Sequence, residues 1–209
     1  EGLTSIKCIQ LQTVLPVWDT DQDSLLAEMK KLPFYEKPFS FSGPPLVSGD
    51  RVFVGVCSSP AGEQEAWVLC LDRGTGRPLW NTPLATLAAA GGGRMAMFAP
   101  RNGALFQTTL AAQGGAVYAQ TNIGAVASLS AVTGDVLWLS RYPRVGMRQQ
   151  QNTGVMDYTF SRAANWPVFW KGRIYILPQD RPDLLAFEAS GGRAVSLPPL
   201  RVFKEERPV

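Results

Sequence analysis

A nine-residue pattern recurs along the chain and limits the folds open to it. The segment DRGTGRPLW runs from Asp72 to Trp80, and SAVTGDVLW runs from Ser130 to Trp138. A degraded copy, EASGGRAVS, starts at Glu188. The turn glycines of the three copies follow each other at a spacing of 58 residues. A fixed period of this kind is typical of repeat architectures, in which each copy is one supersecondary unit.

Two segments with strand patterns precede each of these turns. The earlier segments are GDRVFVGVC, GGAVYAQTN and KGRIYILPQ, and the later ones are AWVLCLD, GAVASLS and DLLAFEA. They alternate apolar with small or polar residues, as strands do. A shorter apolar piece precedes each set, and one more strand follows each turn. Every unit is therefore predicted to hold four antiparallel strands, which is the make-up of a β-propeller blade.

The repeats divide the chain into an all-β domain and a short leading part. We expect blades at about residues 44–86, 103–143 and 165–200, within a repeat domain that covers 44–209. Residues 1–43 predict the last two strands of a preceding blade and one short N-terminal helix, DSLLAEMKKL, capped by Asp21 or Asp23. A closed propeller needs roughly four to eight blades. The chain, with about three blades and a partial fourth, is predicted to belong to a larger propeller that further blades or another copy complete.

The glycine and the tryptophan of the repeat have distinct predicted roles. Gly76 and Gly134 suit a tight turn that needs a positive φ. Trp80 and Trp138 follow four residues later, in the outer strand. A ring of that size fills the space between adjacent blades, and its indole N–H is expected to find a backbone carbonyl there. These four residues form the predicted blade-docking site.

The segments VLCLDRGTGRPLW and VASLSAVTGDVLW resemble the A-x-D-x-x-T-G-x-x-x-W docking motif of the PQQ-like repeat family, which includes quinoprotein alcohol dehydrogenase-like and BamB-like β-propellers. The similarity covers roughly residues 44–200. The aspartate of the motif is kept at Asp72 but replaced by Ser130 and Glu188 in the other units. The third unit also has Ser196 where the family has its tryptophan.

The resemblance implies two classes of function. Members that are dehydrogenases use pyrroloquinoline quinone (PQQ), a catalytic aspartate, a calcium site and often adjacent cysteines, and no adjacent cysteines occur here. We therefore favour a non-catalytic scaffold for protein–protein interaction in a periplasmic or otherwise extracytoplasmic assembly. The alternatives are a piece of a PQQ-dependent dehydrogenase whose active site lies on missing blades, and a carbohydrate-binding propeller. No cofactor is expected, since PQQ and calcium would require those missing blades.

The composition excludes several further classes of function. The 209 residues include no histidine, which excludes histidine-based triads and histidine–zinc sites within this chain. The net charge is only +3 and its basic residues are scattered, so no nucleic-acid partner is predicted. No apolar run is long enough to span a membrane. We predict no catalytic and no metal-binding residue.

Several loop residues invite a functional interpretation that ordinary turn chemistry also explains. Asp157, Asp180 and Asp183, with Asn152 and Asn165, are the carboxylates and amides available for a hard cation. We interpret them as solvated turn residues. The glycine-rich AAAGGGR lacks the ending of a phosphate-binding loop and is interpreted as a plain loop. The arginines of RYPRVGMR are likewise assigned to a solvated loop.

Two further groups concern the interior. Trp166, Phe169 and Trp170 form an aromatic cluster that we assign to the blade core, with an exposed binding patch as the alternative. Cys57 and Cys70 face each other if the hairpin between them is symmetric about residues 62–64, and an extracytoplasmic location then favours a disulfide. Two buried free thiols are the alternative.

Overall fold

The computed structural model describes residues 5–10, 15–59, 63–87, 107–144, 165–181 and 183–197. Strands dominate these residues, and the single helix among them is short. In chain order the elements are β1 Lys7–Gln10, β2 Leu15–Asp19, α1 Asp23–Met29, β3 Phe39–Ser48, β4 Arg51–Ser58, β5 Gln64–Asp72, β6 Pro78–Leu87, β7 Thr109–Gln113, β8 Ala116–Gln120, β9 Ala125–Ser130, β10 Val136–Arg141, β11 Val168–Trp170, β12 Arg173–Ile176, β13 Leu185–Glu188 and β14 Ala194–Val195.

The strands form three four-stranded antiparallel sheets in which each strand pairs with the next one along the chain. The first sheet is β3-β4-β5-β6, the second β7-β8-β9-β10 and the third β11-β12-β13-β14. A two-stranded sheet, β1-β2, precedes them. The predicted all-β fold, its four-stranded units and its short helix are thereby confirmed.

The sheets stack face to face, and the alternation of side chains along each strand supplies the contacts. Val52 and Val54 of β4 point toward β2 and α1, whereas Phe53 between them points toward the second sheet. The second sheet contacts the third in the same way, with Tyr118 packed near Ile174. Each sheet therefore contributes to two apolar layers, as expected for adjacent blades.

Helix α1 covers the first sheet with a short apolar face. Leu25 and Met29 are buried against that sheet, and Leu32 joins them just after the helix. The predicted cap is wrong: Gln22 occupies the N-cap position and makes no side-chain capping bond. The helix ends at Met29, ahead of Pro33. In the described ranges, no helix is long and apolar enough to cross a membrane.

The first sheet starts earlier than the predicted blade. Strand β3 begins at Phe39 and continues through Gly43, where φ is +75°, with a shift of register between Ser42 and Leu46. The Gly-Pro-Pro sequence at residues 43–45 thus forms an irregularity inside the strand. The parts of the predicted blades at 103–106 and 198–200 lie outside the described residues.

Candidate functional site

Each docking tryptophan lies on the turn glycine of the next unit. A Cβ added at Gly134 would lie 2.6 Å from Cδ2 of Trp80, closer than carbon atoms approach, so the ring leaves room only for glycine. The φ of Gly134 is +77°, a second reason for glycine at this position. The three pairs are Trp18 with Gly76, Trp80 with Gly134 and Trp138 with Gly192.

The indole N–H of each tryptophan donates to a backbone carbonyl in the turn that receives the ring. The acceptors are Arg73 for Trp18 at 2.8 Å, Ala131 for Trp80 at 3.4 Å and Ala189 for Trp138 at 2.9 Å. The N–H of each acceptor residue donates in turn to the tight turn that begins the second strand, at Asp50, Gly115 and Gly172 respectively. One residue per unit therefore connects the two turns of its own sheet to the tryptophan of the preceding one.

A β-bulge recurs immediately before each docking tryptophan. In the first sheet Cys70 pairs with Trp80 but Leu71 pairs with Pro78, which leaves Leu79 as the extra residue. An extra residue reverses the alternation of side chains and directs the tryptophan toward the next sheet. The bulged residues are Val17, Leu79 and Leu137, exposed by 50%, 47% and 58%.

A hydroxyl two residues after the tryptophan adds a second contact that sequence reasoning missed. The hydroxyl of Thr82 donates to the carbonyl of Gly134 at 2.7 Å, and that of Ser140 donates to the carbonyl of Gly192. The segments WDT, WNT and WLS share a tryptophan and a hydroxyl at this spacing. That pattern was available in the sequence and would have placed Trp18 in the series.

The turn side chains differ between units although the backbone is the same. Asp72 accepts from both the hydroxyl and the N–H of Thr75, and these bonds lower the pKa of the Asp72 carboxyl. In the second unit Thr133 donates to Asp135 instead. The third unit keeps the turn but has the exposed Ser196 at the tryptophan position.

At the opposite end of the sheets, small residues close the seam between the first two sheets. The N–H of Thr108 donates to the hydroxyl of Ser42 at 2.8 Å. A Cβ on Gly55 would lie 2.7 Å from the carbonyl oxygens of both residues. The backbones of the two sheets therefore lie so close together here that position 55 has room only for glycine.

The corresponding end of the seam between the second and third sheets holds four amide side chains, called here the amide network: Gln107, Gln120, Asn122 and Gln179. Asn122 Oδ1 accepts from Gln120 Nε2 at 2.8 Å and from the N–H of Gln179 at 2.9 Å, and its Nδ2 donates to the carbonyl of Gln107. The φ of Asn122 is +56°, a left-handed conformation that asparagine tolerates in tight turns. The network fixes the second-sheet hairpin to the third sheet.

A second group, the Asp180 cluster, lies beside this network and consists of Tyr142, Arg144, Asp180 and Arg181. Arg144 Nε donates to Asp180 Oδ2 at 3.0 Å, and only 2% of the Asp180 side chain is exposed. Burial raises the pKa of Asp180, although the positive charge of Arg144 opposes the shift. Burial and the nearby Asp180 charge also raise the pKa of Tyr142.

The Asp180 cluster corrects two interpretations of the loops. Asp180 is a buried, ion-paired residue and not a solvated turn residue, and Arg144 is its partner. Asp183 is 59% exposed and paired with Arg181, in keeping with a turn residue. The signal was missed because the two partners are 36 residues apart in the sequence. Asn152, Asp157, Arg148 and the AAAGGGR segment lie outside the described residues.

The aromatic cluster is divided between the two faces of the third sheet. Phe169 packs inward on Tyr118, with ring centroids 4.6 Å apart. Trp166, Val168 and Trp170 point to the other face and are 59%, 60% and 58% exposed. The assignment of both tryptophans to the core is therefore wrong. Alternation along β11 places Trp170 on the face opposite Phe169, and Trp166, just before the strand, is exposed as well.

The two candidate disulfide cysteines do not face each other. Cys57 lies opposite Ala66 and Cys70 lies opposite Phe53, so roughly 13 Å of strand separates their positions. A disulfide needs Cα atoms within about 7 Å. Both thiols are free, and burial raises the pKa of Cys57 and raises that of Cys70 to about 11. The prediction failed because the hairpin is centred near residues 61–62.

The carboxylates considered for a hard cation are paired with arginines wherever the structure describes them. No three aspartate, glutamate or cysteine side chains gather around a common point in the described ranges. Asp180 is engaged by Arg144, and Asp183 by Arg181.

Stacked four-stranded sheets, each joined to the next by a tryptophan on a turn glycine, define a β-propeller of tryptophan-docked blades. The chain belongs to the family described as outer membrane protein assembly factor BamB, whose model matches residues 12–195. No curated protein is a significant match.

Solved structures with a similar fold include a BamB protein and two dehydrogenases. BamB from Moraxella catarrhalis is 14% identical with a TM-score of 0.41, and the match covers 91% of this chain and 56% of that one. A quinohemoprotein alcohol dehydrogenase from Comamonas testosteroni is 19% identical with a TM-score of 0.44, covering 80% and 23%. A europium-containing methanol dehydrogenase is 17% identical with a TM-score of 0.42, covering 75% and 25%. The chain spans about half of the BamB chain and a quarter of each dehydrogenase, and such identities concern the fold alone.

Proposed function

We propose that this chain is part of a non-catalytic β-propeller scaffold that binds another protein in an extracytoplasmic assembly. The observation that carries the proposal is the family match over residues 12–195, whose description names an assembly factor of the outer membrane. That description also supports a location in the bacterial cell envelope.

The hydrogen bonds of the buried polar side chains are consistent with a scaffold role. Asn122 bonds to Gln107 and Gln120 in its own unit and to Gln179 across the seam, and Asp180 is bound to Arg144. These bonds hold neighbouring sheets together. The same sheets expose apolar side chains, among them a row made of Val168 and Trp170 on one face of β11 and Trp166 just before that strand.

Such a row is suited to contact with a protein. Exposed contiguous apolar patches mark interaction sites, and tryptophan is enriched in the energetically dominant part of interfaces. Lys171 lies over the ring of Trp170, with its Nζ 4.4 Å from the ring centroid, and places a positive charge at the edge of the patch. A partner with an apolar segment next to an acidic residue fits this surface.

Site-specific photo-crosslinking in cells that produce the protein naturally tests the proposal. A photoreactive phenylalanine replaces Trp170, and the matched control replaces the exposed Thr86 on β6. We expect one discrete adduct with another envelope protein from position 170 and none from position 86. Equal adducts from both positions, or none from either, would contradict a specific partner on this face.

A titration with PQQ, with and without calcium, tests the enzymatic alternative. The chain contains six tryptophans, so bound quinone would quench their fluorescence. We expect no saturable quenching up to about 1 mM, the upper end of the range of typical enzyme KM values. Saturable, calcium-dependent quenching would overturn the non-catalytic proposal.

The exposed tryptophans also favour a second candidate, carbohydrate binding. Trp166, just before β11, and Trp170, within it, are both exposed, and flat exposed rings stack on sugar faces. Affinity electrophoresis in gels containing soluble polysaccharides distinguishes this role. Retardation that the Trp166→Ala and Trp170→Ala variants both lose would support the carbohydrate, and unretarded migration would exclude the polysaccharides used.

A further inference from the structure

The outer edges of the sheets differ in their protection against pairing with another strand. Strands β2, β6, β10 and β14 lie at the end of their sheets and have one strand neighbour each among the described strands. Pro16 interrupts β2, and Pro78 and Pro83 interrupt β6, and proline at an edge blocks further pairing. Strand β14 has only two residues. Strand β10, VLWLSR, is six residues long and contains no proline.

The backbone of β10 presents hydrogen-bonding groups outward. The N–H of Tyr142 donates to the carbonyl of Gly124, toward the interior of the sheet. Because alternate residues of a strand point the same way, Ser140 and Trp138 also face inward, and the N–H and C=O groups of Leu139 and Arg141 face outward. The bulge before the tryptophan is common to β2, β6 and β10, so it does not distinguish them.

The side chains along this edge are aliphatic in the middle and charged at the ends. Val136, Leu137 and Leu139 are 45%, 58% and 43% exposed. Asp135 precedes them and Arg141 ends the strand, both exposed. The order along the edge is therefore acidic, aliphatic, basic.

We propose that the outer edge of β10 pairs antiparallel with β10 of a second copy of this chain. A twofold axis produces antiparallel strands and brings the Arg141 end of each copy to the Asp135 end of the other. Opposite charges across strands stabilise a pair, and like charges destabilise it. The aliphatic side chains of both copies then lie together in the middle, and the two sheets become one of eight strands.

The order of charges selects a second copy over an unrelated strand, because this edge is complementary to itself only in the antiparallel direction. A parallel arrangement would place Arg141 beside Arg141. The inference is independent of the proposed scaffold function, which uses the face of the third sheet and not the edge of the second.

Light scattering of the purified chain over about 1–200 µM, a range that covers weak micromolar association, tests the pairing. We expect the mass to rise from that of one chain toward that of two. Leu139→Lys places charges at the centre of the interface and should weaken association at least tenfold. The matched control, Leu79→Lys on the proline-protected β6, should not change it. Both positions are exposed, so both variants are expected to fold.

Charge exchange supplies a second test that does not depend on aliphatic contact. Asp135→Arg and Arg141→Asp should each weaken association, and the double variant should restore it, because each end again meets the opposite charge. A chain that stays monomeric, a dimer that tolerates Leu139→Lys, or one lost in Trp170→Lys instead would overturn the proposal.

Discussion

The two ends of the stacked sheets differ in how closely the seams repeat. At the end that carries the Thr-Gly turns, each seam has the same parts: a glycine with positive φ, a tryptophan on it, a carbonyl for the indole and a bulge before the ring. At the end that carries the hairpins, Ser42 and Thr108 close one seam, whereas the amide network and the Asp180 cluster close the next.

The end with the Thr-Gly turns, called here the constant end, makes the same contacts in every seam. The end with the hairpins, called here the variable end, makes different contacts in each seam. The ring of a tryptophan on a glycine sets the distance between adjacent sheets, and any larger residue at the glycine would change it. Once one end fixes that distance, the other end is free to hold different side chains. Features that distinguish one blade from another are therefore concentrated at the hairpin end.

Removal of a docking ring should have the largest effect on the constant end. Trp138→Ala is expected to lower the free energy of unfolding by about 4 kcal/mol, because the buried ring and its hydrogen bond to Ala189 are both lost. Urea unfolding measures the change. Trp170→Ala is the matched control, since its ring is 58% exposed, and a similar loss in the two variants would refute docking.

A methyl group on the turn glycine should have the next largest effect. Gly134→Ala and Gly115→Ala share the cost of a positive φ, about 1–2 kcal/mol, because their φ values are +77° and +79°. A Cβ at Gly115 has no neighbour within 4 Å, whereas at Gly134 it meets Trp80. We expect Gly134→Ala to lose about 1–3 kcal/mol more in urea unfolding. Equal losses would show that the ring is not seated there.

The variable end is tested by the ion pair. Arg144→Met should lower the free energy of unfolding by about 2 kcal/mol near neutral pH, because Asp180 remains as a buried charge. The double variant with Asp180→Asn should lose less. Unfolding at about pH 7 and about pH 4.5 measures both, and a double variant as unstable as the single one would exclude this explanation.

The same pair predicts a direction of pH dependence. Since the folded-state pKa of Asp180 is raised above the ordinary value of 3.8, the folded state holds the proton more tightly than the unfolded state. Its contribution to stability is present below that ordinary value and is lost as pH rises through the folded pKa. The deficit of Arg144→Met should therefore shrink on acidification, and a deficit that grows would contradict the assignment.

The smallest expected effect concerns the hydroxyl that accompanies the ring. Thr82→Val removes the donor to the carbonyl of Gly134 while keeping the side-chain shape, and about 1 kcal/mol should be lost. Thr86→Val, at an exposed position of the same strand, should be nearly neutral in the same unfolding assay. A neutral Thr82→Val would indicate that water replaces the bond without cost.

The constant end was largely predictable from the sequence, and the variable end was not. Gly134 and Trp138 repeat at a fixed spacing, and local strand patterns are strong, so the fold and the docking contact follow from periodicity. The burial of Asp180 depends on Arg144, a distant residue with no counterpart in the other units. The cysteine register depended on the centre of one hairpin, and a shift of two residues there separates the thiols.

The contact between tryptophan and glycine also has a direction along the chain. In the described residues every docking tryptophan belongs to the earlier sheet of a pair, and the glycine that it contacts belongs to the later one. The two faces of a unit are therefore not interchangeable. Such units associate head to tail, like the heterologous subunits of a ring. The third sheet receives Trp138 at Gly192 but has Ser196 where it would give a ring of its own. The third sheet therefore binds the tryptophan of the preceding sheet but has no docking tryptophan of its own at position 196. A molecule that covers its other face must bind through contacts other than a tryptophan on a glycine.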